Sequence, residues 1–280
     1  MSVIMAGIVL YNPEPERLAL NLGAIEAQVE RILCVDNNSQ NLPEIQPILD
    51  RYPHLTLIRN SANRGIAAAL NQLMGQAEAE QIEWVLTLDQ DSICPDNIIE
   101  EYEKRLSMDR VAMLTMGIYD TNLQKKEQTT EEFVRRCITS GCYTKTSVWR
   151  EVGGFDEDFF IDYVDFEYCA KLMEAGYRIF RVGSVCLRHA VGNSHTIRLF
   201  GYKICRVYNH NPQRNYYLTR NALYYAFLHQ KEAETFQVRR GILKRNILTV
   251  VFEKDRLKKL KAILKGRRDS RKMIKNTAYR

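Results

Sequence analysis

Two aspartates stand two residues apart in T-L-D-Q-D-S (87–92), where an apolar run containing Ile82, Trp84, Val85 and Leu86 comes to an end. Aspartate is a poor strand former and is costly to bury unpaired, so acids at a strand end call for water, a cation or a charged partner. Side chains at i and i+2 leave an extended chain on the same side, which lets Asp89 and Asp91 converge on one ion. The same residues also read as a turn with a helix cap, Asp91 or Ser92 preceding a helix that starts near Pro95. The pattern by itself leaves both readings open.

Three other stretches carry chemistry. F-D-E-D-F-F-I-D-Y-V-D-F-E-Y (155–168) places six acids among aromatic rings. Carboxyls beside apolar rings have raised pKa values unless a cation or hydrogen bonds compensate, which is how a general base is tuned; acids at a helix start also favour its dipole. Both can hold here, with Asp162 capping the helix and Asp165 facing a cleft. In R-H-A-V-G-N-S-H (188–195), His189 follows a strand and suits an oxygen-rich manganese or magnesium site near D-x-D, although a lone histidine also reads as a surface residue. In N-P-Q-R-N-Y-Y-L-T-R-N (211–221), Arg214 and Arg220 can clamp phosphate or stack in a helix interface. Asp36, in V-D-N-N-S, can take a ribose hydroxyl or base edge, or close an Asx turn.

The elements that position these residues are legible from periodicity. Strands are expected at 3–10, 32–35, 55–58 and 84–88, with helices at 14–28, 43–52 and 64–79. This β-α-β-α rhythm predicts an α/β fold, a Rossmann-like, mostly parallel sheet flanked by helices. Ligands on such sheets sit beyond the carboxyl ends of the strands, which gathers Tyr11 and Asn12, Asp36 to Asn38, and Asp89 to Asp91 on one rim. No G-x-G-x-x-G follows the first strand, which argues against a nicotinamide or flavin enzyme. Further on, strands are expected at 111–119, 137–144 and 178–182. A polar loop at 120–132, a helix at 147–152, a turn at Gly153-Gly154 and a helix through Met173 lie between them.

Composition narrows the classes. The 280 residues are 45% hydrophobic and 26% charged, ordinary for a soluble globular protein. The longest apolar runs, 111–116 and 247–252, fall short of the roughly 20 residues of a membrane span, and the N-terminus lacks the basic start of a signal peptide. Seven cysteines without a C-x-x-C pair suggest reduced thiols in a cytosolic protein rather than a zinc site or a disulfide framework. The net charge of +6 conceals a basic tail: 239–280 holds 16 Lys or Arg against three acids, so the preceding residues carry −7. Nucleic acid is a poor partner for that tail, whose aromatics are Phe252 and Tyr279 alone. Leu243, Ile247, Val251, Leu257, Leu260 and Leu264 recur at mainly helical spacing between basic residues, which suits a helix lying on an anionic membrane or packed on the body.

V-L-Y-N-P, V-D-N-N-S, N-R-G-I-A-A-A-L-N, T-L-D-Q-D-S, I-T-S-G-C-Y, G-G-F-D-E-D-F-F-I-D-Y-V-D-F-E, R-H-A-V-G and R-N-Y-Y-L-T-R-N occur in that order between about residues 3 and 225. As an ordered set they resemble inverting family 2 glycosyltransferases of the GT-A fold, in detail the bacterial rhamnosyltransferase branch. The resemblance implies a GT-A domain over 1–225, with a nucleotide-binding half to about 115 and an acceptor half from 116, followed by a basic helical extension over 226–280. It places Tyr11, Asp36, Arg64 and Asn71 around the nucleobase and ribose, with Asn63 and Gly65 shaping their loop. Gln90, Arg214 and Arg220 are counted with the donor-binding residues.

For the chemistry, the resemblance gives Asp89 the ribose or the metal, Asp91 the metal directly and His189 the further ligand. Asp165 falls at the catalytic base and Glu167 where an acid helps hold the acceptor; the family's E-D pair is Val164-Asp165 here, which makes Asp162 a rival base. The implied activity is metal-dependent transfer, with Mn2+ or Mg2+, of L-rhamnose from dTDP-rhamnose. The acceptor would be a hydroxyl of a bacterial surface polysaccharide or its lipid-linked precursor. The setting would be cytoplasmic, peripheral at the inner face of the plasma membrane. A UDP-hexose or UDP-galactofuranose donor is the alternative within the fold, and a non-catalytic glycan- or nucleotide-binding module the alternative outside enzymes.

Overall fold

A computed structural model describes residues 3–120, 125–126, 130–189, 195–199, 202–232 and 234–278. The first half alternates β1 (Met5–Leu10), α1 (Pro15–Ile25), β2 (Arg31–Asp36), α2 (Leu42–Leu49), β3 (Leu55–Arg59), α3 (Ile66–Ala79) and β4 (Trp84–Asp89). After it come α4 (Ile98–Glu103), β5 (Val111–Asp120), β6 (Lys125–Lys126), β7 (Glu132–Val134), β8 (Cys142–Lys145), α5 (Thr146–Glu151), α6 (Val164–Glu174) and β9 (Arg178–His189). A hairpin of β10 (His195–Leu199) and β11 (Tyr202–Val207) then leads into α7 (Pro212–Leu228), α8 (Thr235–Phe252) and α9 (Arg256–Ala278).

Local sequence explains the early elements. All six residues of β1, M-A-G-I-V-L, are buried, as an unbroken apolar run on a doubly covered strand should be. Helix α1 opens on Pro15, whose missing N–H costs nothing in a first turn, and it buries Leu18, Asn21, Leu22 and Ile25 along one face. Helix α3 starts after Gly65, whose φ of +86° lies in the region glycine favours. A Cβ at that position would meet the Phe160 carbonyl oxygen at 2.6 Å, so the glycine lets the 60–65 loop close on the acidic run.

The nine-stranded sheet has the order β3-β2-β1-β4-β8-β5-β9-β7, with β6 paired to β5. Strands β3, β2, β1 and β4 are parallel. Strand β8 is antiparallel to both β4 and β5, and β5 is parallel to β9. The two reversals return β5 and β9 to the direction of β4, so Asp36, Asp89, Asp120 and His189 all end strands at one rim. Strand order reverses between β1 and β4, the crevice where such sheets bind ligands. Two apolar layers enclose the sheet. One gathers Leu73 of α3, Tyr168 and Leu172 of α6, Tyr225 of α7 and Ile242 of α8. The other gathers Leu18 and Leu22 of α1, Ile45 of α2 and Tyr102 of α4.

The structure revises several element boundaries. The strand expected at 137–144 is confined to Cys142–Lys145. Its first residues are diverted into a turn at Gly141 (φ +79°), whose N–H donates to the Thr87 carbonyl. The strand expected at 178–182 runs on to His189, because β5 pairs with it as far as Asp120 opposite His189. The helix beginning near Pro95 starts at Ile98, with Asn97 in the cap position, so neither Asp91 nor Ser92 caps it. The amphipathic tail is two helices, broken around Asp255 (φ +55°). Those helices are folded onto the body: Ile242 and Ile263 are buried, and Gly266 lets α9 approach so closely that a Cβ would lie 2.6 Å from the Tyr216 carbonyl. Much of the expected 120–132 loop, and the A-V-G of R-H-A-V-G, lie outside the described residues. Cys34, Cys94, Cys137, Cys142 and Cys169 are in no disulfide. Among the described residues no helix is long and apolar enough to cross a membrane.

Candidate active site

A cavity of about 790 Å³ opens at the β1/β4 switch point, within the usual size of a small-molecule site. Its floor is the end of β4. Asp89, Asp91 and His189 each present one ligand atom there, and these atoms lie within 4.8 Å of one another. His189 Nε2 is 4.0 Å from Asp89 Oδ2, and His189 Nδ1 is 3.6 Å from Asp91 Oδ1. The ends of β4 and β9 are tied together by paired backbone bonds between Ile93 and Arg188, at 2.8 and 3.0 Å.

Hydroxyls orient this trio. Ser92 Oγ lies 3.0 Å from His189 Nδ1 and 2.7 Å from Ser140 Oγ, which in turn accepts the Asp89 N–H at 2.9 Å. With Nδ1 occupied by Ser92, Nε2 is the ring nitrogen left for a cation. Withdrawal from water holds the Asp89 carboxyl above its ordinary range; the charge of His189 opposes this, the neighbouring Asp91 adds to it, and Arg214 opposes it. A divalent cation would relieve that repulsion, and two carboxylates with one imidazole are a donor set suited to Mn2+ or Mg2+. The residues present therefore fit the ion.

The opposite sign gathers elsewhere on the lining, at Arg214 and Arg245. His210 sits with them; burial first, then the charges of Arg214 and Arg245, push its imidazole down to about 4. His210 is therefore neutral near pH 7, and the two guanidiniums give this side of the lining a positive field.

Asp165 lies at the start of α6, between the cavity-lining Ile161 and Phe166. Burial raises its carboxyl to about 7, with Asp162 and Asp89 adding to the effect while the Phe166 N–H, donated to Oδ1 at 2.9 Å, opposes it. Asp162 is engaged differently. Its Oδ1 accepts from Arg214 at 3.2 and 3.3 Å, and its own φ is +63°. It does not cap α6, whose N-cap residue is Tyr163. Glu167 is fully buried one turn into the helix, 3.1 Å from Lys171 and 3.5 Å from His229, and is turned away from the cavity lining.

The residues expected around the nucleotide divide in the same way. Tyr11, Asn63, Gly65, Gln90 and Arg214 line the cavity. Gln90 exchanges hydrogen bonds with the Tyr11 backbone, at 2.8 and 3.3 Å, and so closes the gap between the ends of β1 and β4. Asp36 is buried beneath the rim, where its carboxylate accepts the Ser39 N–H three residues on, a local backbone role rather than the i, i+2 bond of an Asx turn. Arg64 is half-exposed, 3.8 Å from Glu157. Asn71 bonds both backbone groups of Phe155. Arg220 stacks 4.8 Å from the Tyr217 centroid and donates to the carbonyls of Asp158 and Phe159, so it braces the acidic run rather than lining the cavity.

Asn37, gathered on the rim from the sequence, lines the cavity; sequence reasoning missed Phe160, Ile161, Phe166, Tyr208, His210 and Arg245, which also line it. Asn37 carried a signal in D-N-N-S, and the aromatics carried one in the acidic run. Tyr208, His210 and Arg245 carried none: the first two lie in the irregular segment between β11 and α7, and Arg245 reaches the site only once α8 packs against α7 and β11.

The family model described as Glycosyl transferase family 2 matches residues 6–178. The chain is 29% identical over 248 residues to the dTDP-rhamnosyl transferase RfbF of Shigella flexneri, an alignment that covers 79% of each protein. S. aureus TarS 1-349 in complex with UDP superposes with a TM-score of 0.58 at 15% identity, over 90% of this chain and 76% of that one. GalNAc-T7 with UDP, GalNAc and Mn2+ gives 0.57 at 13% identity, over 86% of this chain. This chain spans 55% of that GalNAc-T7 chain. At such identities the structural likenesses speak for the fold, and the family match covers well over half of the sequence: the chain belongs to glycosyl transferase family 2 and has the GT-A fold.

Proposed function

We propose that the protein is an inverting, metal-dependent transferase that moves L-rhamnose from dTDP-rhamnose onto a hydroxyl of a bacterial surface glycan or its lipid-linked precursor. One observation supports the reading: the Asp89, Asp91 and His189 trio lies on the cavity at the switch point, and Asp165, just behind the cavity-lining Phe166, has a carboxyl raised by burial and by the field of Asp89. The rhamnosyl donor rests on the likeness to RfbF. A bound divalent cation supplies Lewis-acid stabilisation of the departing nucleoside diphosphate. Asp165 takes the proton of the acceptor hydroxyl as its oxygen bonds to the anomeric carbon. The bond from that carbon to the diphosphate breaks in the same displacement, and a single displacement inverts the configuration. Arg214, on the cavity lining, is the cation set against the charge that develops on the leaving group.

A thermal-shift panel of nucleotide sugars with Mn2+ tests the donor. A ligand bound only by the folded state at 100 times its Kd stabilises by about 2.7 kcal/mol. The largest metal-dependent shift is expected with dTDP-rhamnose. A larger one with UDP-galactose or UDP-glucose would move the reading to a hexosyl donor, and no shift with any sugar nucleotide would favour a non-catalytic module.

The tail supports a cytoplasmic enzyme lying against the membrane. Eight of the twelve large exposed apolar side chains belong to α8 and α9, among them Leu243, Ile247 and Val251 along one stripe of α8 and Leu257 and Leu264 on α9. Basic residues flank that stripe, and each is worth about 1 kcal/mol near an anionic surface. Truncation at 239 would strip Ile242 and Ile263 from the core, so surface substitutions are the cleaner test. The full-length protein is expected to sediment with phosphatidylglycerol vesicles, and the triple variant Leu243→Ser, Ile247→Ser, Val251→Ser to stay largely in solution. Equal sedimentation of the two would refute membrane contact through this face.

A further inference from the structure

A second cavity, of about 400 Å³, lies between α8 and the 206–208 segment and shares Tyr208 and Arg245 with the donor cavity. Tyr163, which stands between Asp162 and Val164 and two residues before Asp165, lines it as well. Its charge is one-sided. Glu253, the acid on its wall, is already neutralised by Lys259 at 2.8 Å and accepts the Tyr208 N–H at 3.2 Å. Arg136 is paired with Glu234 at 3.3 Å. Among the described residues, Arg206, Lys244 and Arg245 have neither a hydrogen-bond acceptor nor an acid partner. Arg245 only stacks on Tyr208, 5.3 Å from the ring centroid. Burial draws its guanidinium down despite the fields of Asp162 and Glu253.

Arg206 and Arg245 are half-buried and Lys244 stands exposed at the rim; the three cations repel one another and the two arginines lose hydration, and an oxyanion bound among them offsets both costs. A single carboxylate would leave most of that charge unmatched, whereas a phosphate ester or diphosphate carries two or more negative charges and accepts several N–H donors at once. We propose that this cavity is an anion subsite for the acceptor, holding a phosphate or diphosphate group that the acceptor carries while its hydroxyl reaches Asp165. The inference rests on the transferase reading of the adjoining cavity. Phosphate oxygens could also come from the donor, so the test separates the two sources.

Inorganic diphosphate titrated calorimetrically into the metal-free full-length protein, with chelator present, is expected to bind saturably, and to bind Asp91→Asn equally well. The double variant Arg206→Gln, Lys244→Gln, changed only in the second cavity, is expected to bind it about tenfold more weakly or worse, since two charge-assisted contacts are lost. In the other arm, dTDP with Mn2+ should bind the double variant as tightly as wild type. Absence of diphosphate binding to metal-free wild type, or unchanged binding by the double variant, overturns the subsite. A tenfold loss of dTDP affinity in the double variant overturns its assignment to the acceptor and gives those cations to the donor. Failure of dTDP to bind wild type with Mn2+ would instead strike the donor reading, which the diphosphate arm does not test.

Discussion

Asp91→Ala is expected to abolish sugar transfer while leaving the fold intact. The side chain is only partly buried, and its contacts are long: Arg17 at 3.8 Å and His189 at 3.6 Å. Its loss therefore removes little from stability. Catalysis is another matter, because Lewis-acid stabilisation of a leaving diphosphate is worth several kcal/mol, which is a loss on the order of 10³-fold or more in rate. His189→Ala should be milder, since two carboxylates would remain, and should appear as a higher Mn2+ requirement. Ser92→Ala should move in the same direction by freeing the imidazole ring, as substitutions behind a ligating histidine do. Full activity in excess EDTA, or of Asp91→Ala, would show that the trio holds no catalytic cation.

Asp165→Asn is expected to lower turnover by about 10² to 10⁴-fold with donor affinity nearly unchanged, the range general-base catalysis supplies. The amide keeps the shape and accepts no proton. Because the carboxyl is held at about 7, wild-type turnover should rise with pH through that value and level off above it, and the variant should lose this limb. The same shift predicts a stability change. The unfolded chain releases the Asp165 proton near its ordinary value, whereas the folded protein keeps it until about 7. The folded state therefore binds more protons between those values, and its stability falls as pH rises through the window. An asparagine carries no such penalty, so the variant should melt above wild type at pH 8 and converge with it near pH 4. Asp162→Asn is the control. Asp162 is tied to Arg214 and Asp165 is not, so a larger turnover loss at 162, with donor affinity and fold preserved in both, would reassign the base.

The parallel half of the fold could be read in advance because its physics is local. Strand β1 is an apolar run of the right length, Pro15 opens a helix, and parallel sheets bring strand ends to one rim, so Asp36, Asp89 and Asp91 could be placed together. His189 was reachable by the same rule, although the strand leading to it is longer than its apolar stretch, because pairing with β5 carries it on. Which polar residues face the cleft was not local information. Asn71, Glu167 and Arg220 sit in the quoted motifs, yet their visible partners are the Phe155 backbone, the Lys171 and His229 pair, and the carbonyls of the acidic run. Arg245 is the reverse case. It lies in a tail that reads as a generic basic helix, and its place at the donor cavity follows from long-range packing of α8 and α9 on α7, which leaves no mark in the pattern of either helix.

The most direct test of the account is a calorimetric titration of dTDP-rhamnose into the full-length protein, with Mn2+ and again with excess EDTA, repeated on Asp91→Asn. One-site binding that requires the cation and is lost in the variant is the predicted result. Binding of equal affinity in EDTA, or undiminished binding by Asp91→Asn, would contradict a donor site built on Asp89, Asp91 and His189.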